Sequence, residues 1–180
     1  MLSTDQKGNI AETAIVHAAV KLGIDVYRAV VEGGRYDLIL DLKPGLLRVQ
    51  CKWAARHGEV VLVRSYSSRR SVGGKVITRL YMDDEADAFA AYCADLDRCF
   101  LLPAELWARR RTLHLRIEPT RNNQHRGVKW ADDYEFAATL SRLGAVAQLG
   151  ERRRGTPKAT GSSPVGSTSS PLRRAPPFPG

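Results

Sequence analysis

Between Asp25 and Ser65 the chain breaks into four strand-length apolar segments punctuated by turn residues. Asp25–Val31 (DVYRAVV) ends at Glu32-Gly33-Gly34, and Arg35–Leu42 (RYDLILDL) ends at Lys43-Pro44-Gly45. Leu46–Trp53 (LLRVQCKW) precedes His57-Gly58, and Glu59–Ser65 (EVVLVRS) follows. Four successive strands joined by such short connections must lie side by side in a sheet, and this constrains the fold more than any other feature. A helix precedes them. From Gln6 to Leu22 the residues Ile10, Ala11, Ala14, Ile15, Ala18, Ala19 and Leu22 recur at helical spacing. Ser3, Thr4 and Asp5 offer N-caps and Gly23 a stop.

Beyond the fourth strand, Ser67–Thr78 is polar, basic and glycine-containing, and reads as a loop. Asp83–Cys93 fits a short helix with Ala86, Phe89, Ala90 and Cys93 on one side. Arg98–Leu102 is an apolar strand stopped by Pro103. Leu113–Ile117 reads as another strand and Trp130–Leu143 as a closing helix. One helix, a run of strands and then mixed elements make an α/β (α+β) chain with a central mixed sheet.

Charge divides the chain. Residues 1–144 carry 22 Lys and Arg against 18 Asp and Glu, net +4; residues 145–180 carry six against one, net +5. The tail also holds six of the nine prolines and a Gly/Ser-rich run at 161–170, too little apolar surface to offset the entropy of ordering. Residues 1–143 are therefore expected to form the folded domain and 144–180 a disordered basic tail. The tail has a second likeness. Gly144–Arg152 (GAVAQLGER) resembles the conceptual translation of the start and D-arm of a bacterial tRNA gene. Gly161-Ser162-Ser163-Pro164, seventeen codons on, resembles that of the T-arm. Most of the basic excess is then an accident of reading frame and says nothing about partners.

No run of 18 apolar residues occurs, so no transmembrane helix and no membrane partner are expected. Asp5, Glu12 and His17 interrupt any signal-peptide core. Three unpatterned cysteines (Cys51, Cys93, Cys99) speak against a disulfide framework and fit a cytoplasmic protein. The histidines at 17, 57, 114 and 125 have no metal-ligand spacing, and His17 reads as a core or interface residue. Trp53, Trp107 and Trp130 read as core.

Chemistry gathers at four positions. Glu12 lies in the first helix, Asp37 inside the second strand, and Gln50 and Lys52 in the third. Alternation sends Val49, Cys51 and Trp53 to one face and Gln50 and Lys52 to the other. A polar pair on a central strand needs partners, and Asp37 on the neighbouring strand is a candidate for Lys52. On spacing alone the commoner reading of such a trio is a solvent-facing salt bridge.

The ordered set TDQKGNIAETAIVHAAVKLGIDVYRAV, GRYDLILDL, LLRVQCKWA, FLLPAELW and PTRNNQHRGVKWADDYEF resembles the PD-(D/E)xK nuclease superfamily. The likeness is closest to its group I intron-associated homing endonucleases, which are related to Holliday-junction resolvases. It spans about residues 3–143. It implies a restriction-endonuclease-like mixed sheet flanked by helices. It implies Asp37 and Glu12 as metal ligands, Lys52 as the catalytic lysine, and the Cys51 backbone carbonyl as a further ligand. Gln50 stands where the superfamily usually has Asp or Glu, so the site holds two carboxylates. Hard oxygen donors suit Mg²⁺, with Mn²⁺ as a substitute. The implied activity is hydrolysis of phosphodiester bonds in double-stranded DNA by a dimer or tetramer.

Basic and amide residues supply candidate DNA contacts: Arg64, Arg69, Arg70 and Lys75 after the fourth strand, and Arg121, Asn122, Asn123 and Gln124 before Trp130. The triplet Arg109-Arg110-Arg111 reads equally as a phosphate clamp and as a surface turn. Alternatives to a homing enzyme are a Holliday-junction resolvase or repair nuclease, and a DNA-binding module with a decayed site.

Overall fold

The computed structural model describes residues 1–30, 33–43, 45–82, 84–119 and 125–153, with the side chains of 69, 70 and 145–153 left out. Helix α1 (Thr4–Lys21) opens the chain. Ser3 caps it by a reciprocal box: its hydroxyl accepts from Gln6 N–H (3.1 Å) while the Gln6 amide oxygen accepts from Ser3 N–H (2.8 Å). Gly23 ends it at φ +73°, a left-handed conformation that glycine adopts without penalty. The face carrying Ala11, Ile15 and Ala19 is buried, as the spacing predicts.

Strands β1 (Asp25–Arg28), β2 (Leu38–Asp41), β3 (Leu46–His57) and β4 (Val60–Arg64) follow in order, all antiparallel to their sequence neighbours. β3 is longer than its sequence signal and holds the sheet together. Its start pairs with β2 and its end with β4, while its middle runs parallel to β7 (Ala88–Cys93). β7 pairs with β8 (Arg98–Pro103), and β9 (Thr112–Arg116) closes the other edge against β4. The result is a seven-stranded mixed sheet, as expected.

Each face of the sheet carries a packed cluster. On one, Leu38, Leu40, Val49, Ala88, Ala90 and Leu101 pack against Ile15 and Ala19 of α1 and against Phe136 and Leu140 of α3 (Phe136–Arg153). On the other, Ala54, Val61, Phe89, Phe100 and Leu113 surround Trp107 of the short helix α2 (Ala104–Trp107). Trp107 stacks on Phe89 at 4.0 Å, and its indole N–H donates to the Leu102 carbonyl (2.9 Å). Leu140, and Leu143 behind it, are the last residues described in this core. Helix α3 runs on to Arg153, so 144–153 is helical rather than the start of a disordered tail, because the closing helix continues past its last core residue; residues 154–180 lie outside the described residues.

Two elements differ from the sequence reading. Residues 83–93 are not a helix: Ala88–Cys93 is strand β7. Its AFAAYC sequence is apolar throughout because both faces are buried, and a continuous apolar run carries no period to separate strand from helix. Alanine favours helix locally, but pairing on both edges overrides that preference. Residues 67–78 are not a loop either. β5 (Tyr66–Arg70) and β6 (Val76–Leu80) form a hairpin of their own, turning through Ser71–Lys75. β6 is exposed at Val76, Ile77, Thr78 and Arg79, so it has no buried side for a period-2 pattern to mark. His17 is exposed rather than core, and only Trp107 of the three tryptophans is fully buried.

Candidate active site

Between Val49, its last residue paired to β2, and Ala54, its first paired to β4, β3 has β7 as its only strand partner. Asp37 fills this gap. It sits just before β2 rather than inside a strand, and its own N–H still donates to the Val49 carbonyl (2.9 Å). Its Oδ2 accepts from Cys51 N–H (2.7 Å) and from the Gln50 amide nitrogen. The carboxylate thus takes the place of a missing ladder bond. Burial pushes its pKa up; the Cys51 N–H, Lys52 and the Gln50 amide counter this only in part.

Gln50 is 7% exposed. Its Nε2 also donates to the Cys51 carbonyl (3.3 Å), while its Oε1 is buried with no hydrogen-bond partner among the described residues. An orphaned buried oxygen costs about 1–3 kcal/mol, so its retention calls for a further ligand. Glu12 approaches from α1, half-buried. Burial raises its carboxyl pKa first, the Asp37 charge adds to this, and Arg28 of β1 opposes it. Two carboxylates, one of which raises the other's pKa, together with an orphaned amide oxygen and the Cys51 carbonyl make a hard-oxygen donor set. It suits a divalent cation such as Mg²⁺, which favours such donors. No cluster of three or more His, Cys, Asp or Glu side chains occurs among the described residues, so amide and carbonyl oxygens must complete any set. The Cys51 thiol is buried and its pKa strongly raised, leaving it as packing.

Lys52 shares the Gln50 face of β3, but it does not pair with Asp37: no ion pair joins them among the described residues. Its Nζ donates to the Tyr81 hydroxyl (3.2 Å) and lies at the limit of bonding to the Tyr66 carbonyl (3.5 Å). It also sits over the Tyr81 ring (4.4 Å) and near that of Phe89 (5.4 Å). Desolvation lowers its pKa to about 8 against the pull of Asp37. The solvent-facing salt bridge therefore fails as a description, because the ammonium is buried on aromatic rings without a carboxylate partner.

The sequence reading missed this lysine's surroundings. Tyr81 is 4% exposed and carries Arg35 4.6 Å over its ring. Arg35 is fixed by a bidentate bond to Glu85 (2.7 Å on each arm), and Glu85 also accepts from Arg79 (2.6 Å) and from Met82 N–H (2.9 Å). Only tertiary folding brings residues 35, 52, 81 and 85 together, and no local pattern marks them. The one available signal is a tyrosine within otherwise charged sequence.

The candidate DNA contacts do not form one group. The hairpin β5–β6 starts and ends at Lys52, through the Tyr66 carbonyl and the Tyr81 hydroxyl. Arg69 and Arg70 lie on β5, and Lys75 is exposed in the turn. Arg64 belongs elsewhere, opposite Thr112 on β9. Arg121, Asn122, Asn123 and Gln124 lie outside the described residues.

A family model described as PD-(D/E)XK endonuclease matches residues 2–137, and the chain belongs to that family. Among solved structures it is similar to that of a bacterial homing endonuclease, I-Ssp6803I. The TM-score is 0.64 at 23% identity, covering 86% of this chain and 100% of that one. That likeness confirms the restriction-endonuclease-like fold. The crystal structure of MepB aligns only at TM-score 0.30 and 14% identity, over 68% of this chain and 82% of that one, too little to carry an argument. No curated protein matches the chain. Among the described residues, no helix is long and apolar enough to cross a membrane.

Proposed function

We propose that the chain is a metal-dependent endonuclease acting on double-stranded DNA, of the homing type and linked to a group I intron. One observation carries the metal-dependent hydrolysis. In the gap of β3, Asp37 bonds the Gln50 amide, whose oxygen is left without a partner among the described residues, the Asp37 charge acts on Glu12, and Lys52 stands alongside without a carboxylate. Asp37, Glu12, Gln50 Oε1 and the Cys51 carbonyl would hold the ion, Mg²⁺ by preference and Mn²⁺ as a substitute. The bound ion polarises a phosphoryl oxygen and lowers the pKa of water. Lys52 stabilises charge developing on the phosphate or takes up a proton from the attacking water. Tyr81 and the Arg35–Glu85 pair hold its ammonium in place. The hairpin carrying Arg69, Arg70 and Lys75 is a two-stranded ribbon of the size a major groove admits.

A domain of this size reads a long target by assembling, so a two-fold dimer or a tetramer is expected. Three free cysteines suit a cytoplasmic setting. A chain truncated after Leu143 should fold and cleave like the full chain.

Incubation with supercoiled plasmid and with intron-insertion-site duplex, with Mg²⁺ or with chelator, tests the reading. Metal-dependent cutting that is lost in Asp37→Ala and Lys52→Ala is the expected outcome. No cutting by the wild type under any divalent ion would sink it. Preference for a four-way junction over linear duplex would move the assignment to a resolvase.

A further inference from the structure

The β4–β9 end of the sheet carries a second basic surface, away from the hairpin. Residues directly opposite one another in an antiparallel pair share a face. The register Leu62↔His114, Val60↔Arg116 and Arg64↔Thr112 therefore puts Arg64, Thr112, His114 and Arg116 on one side. Val61, Val63, Leu113 and Leu115 point to the other side, where they are buried around Trp107. α1 and α3 cover the first side only over the other half of the sheet. What is left is a groove of about 410 Å³ whose wall includes Arg110, Thr112, His114, Arg116 and Lys129 beside the apolar Val60, Leu113 and Val128, with no carboxylate lining it among the described residues.

The groove is built rather than incidental. Ala131 N–H donates to the Arg116 carbonyl and Arg116 N–H to the Lys129 carbonyl, both at 2.7 Å, so the 129–131 segment is locked along the edge of β9. Buried Ser65 fixes the other end: its hydroxyl donates to the Arg110 carbonyl (2.7 Å) and its N–H to that of Arg111 (2.9 Å). Ser65 adjoins Tyr66, whose carbonyl faces Lys52. The backbone that carries these cations is thus tied to the strand leading to the site lysine. Among the described residues no carboxylate pairs with Arg64, Arg110, Arg116 or Lys129.

We propose that the groove lined by Arg110, Thr112, His114, Arg116 and Lys129, with Arg64 on the same sheet face beside it, is a second phosphate-binding track. It grips the DNA backbone on the Glu12 side of the sheet while the hairpin engages DNA on the Lys52 side. This rests on the nuclease reading above and adds a contact surface to it. Backbone contacts position a duplex without reading its sequence, so the track sets affinity and salt dependence rather than target choice.

The test uses a 30-base-pair duplex of arbitrary sequence, the full-length protein and binding measured from about 50 to 200 mM salt. Each neutralised phosphate contributes about 0.9 to the log–log salt slope. Replacing Arg64, Arg110 and Lys129 together by Gln should flatten the slope by about 2–3, which removes about 40-fold of the affinity lost across that range. Arg110→Gln alone, whose side chain is exposed, should flatten it by about one and covers the case in which the triple variant does not fold. Wild-type binding with an unchanged slope in Arg110→Gln overturns the track and leaves the nuclease reading standing. No duplex binding by the wild type overturns both.

Discussion

Asp37 and Asp87 bond to β3 in nearly the same way, and their chemistry is opposite. Each carboxylate accepts a β3 backbone N–H at 2.7 Å, Asp37 from Cys51 and Asp87 from Arg48. Asp87 then takes the Arg48 guanidinium on both oxygens (2.8 and 3.1 Å). The Arg48 bond holds its pKa below the usual carboxylate range. Asp37 receives only a neutral amide, and burial raises its pKa. The cations four residues apart on β3 mirror this. Arg48 is paired and its pKa raised, while Lys52 rests on rings and its pKa is lowered. A structural ion pair satisfies its charges internally. A reactive site leaves them unsatisfied and available to a ligand.

This contrast can be broken at several points. The largest effect is expected at Asp37→Asn, which should abolish detectable cleavage without lowering the thermal midpoint of the metal-free protein, since a buried charge is removed. A destabilised variant would place Asp37 with Asp87 as a structural acid. Lys52→Ala should slow cleavage by at least about 10²–10³-fold, the scale for losing a preorganised charge, in single-turnover rates at saturating metal. Gln50→Glu adds a third carboxylate beside Asp37, so half-saturation by Mg²⁺ should fall to lower concentration; clearly weaker Mg²⁺ binding refutes a ligand role for Gln50.

Asp87→Asn should leave the cleavage rate unchanged and cost about 1 kcal/mol of stability at neutral pH in denaturant unfolding. Because its folded pKa lies below the unfolded one, the Asp87 contribution is complete above the unfolded pKa of about 4. It is lost as pH falls through the folded value. The stability gap between Asp87→Asn and wild type should therefore close in acid, and a gap that persists there removes the ionised carboxylate as its cause. Among the variants expected to slow cleavage, Tyr81→Phe should have the smallest effect: it keeps the ring under Lys52 and removes one hydrogen bond, so the rate should drop less than about tenfold.

Much of the site was legible before folding. Alternation along LLRVQCKW correctly assigned Gln50 and Lys52 to one face and Val49 and Cys51 to the other, because a strand's period of two leaves no other choice. The pairing of β2 with β3 through a short turn brings Asp37 beside that segment, as the order of strands implies. The α1 spacing, capped by Ser3, places Glu12 next to a buried face.

Other features depended on contacts distant in sequence. That Asp37 bonds Gln50 and the Cys51 N–H, rather than Lys52, follows from β2 and β4 leaving one edge of β3 open at 50–53, which no local pattern reveals. Strand β7 was hidden because burial on both faces erases periodicity. The hairpin β5–β6 was hidden because exposure on β6 leaves none to see. Tyr81 and Arg35 reach Lys52 only when strands and loops from separate parts of the chain converge. Sequence by itself determined which residues can do chemistry and which face of a strand they occupy, since both are local properties of the chain. Tertiary structure alone decided which charges stay unpaired, because desolvation and partner choice depend on neighbours that only the folded sheet supplies.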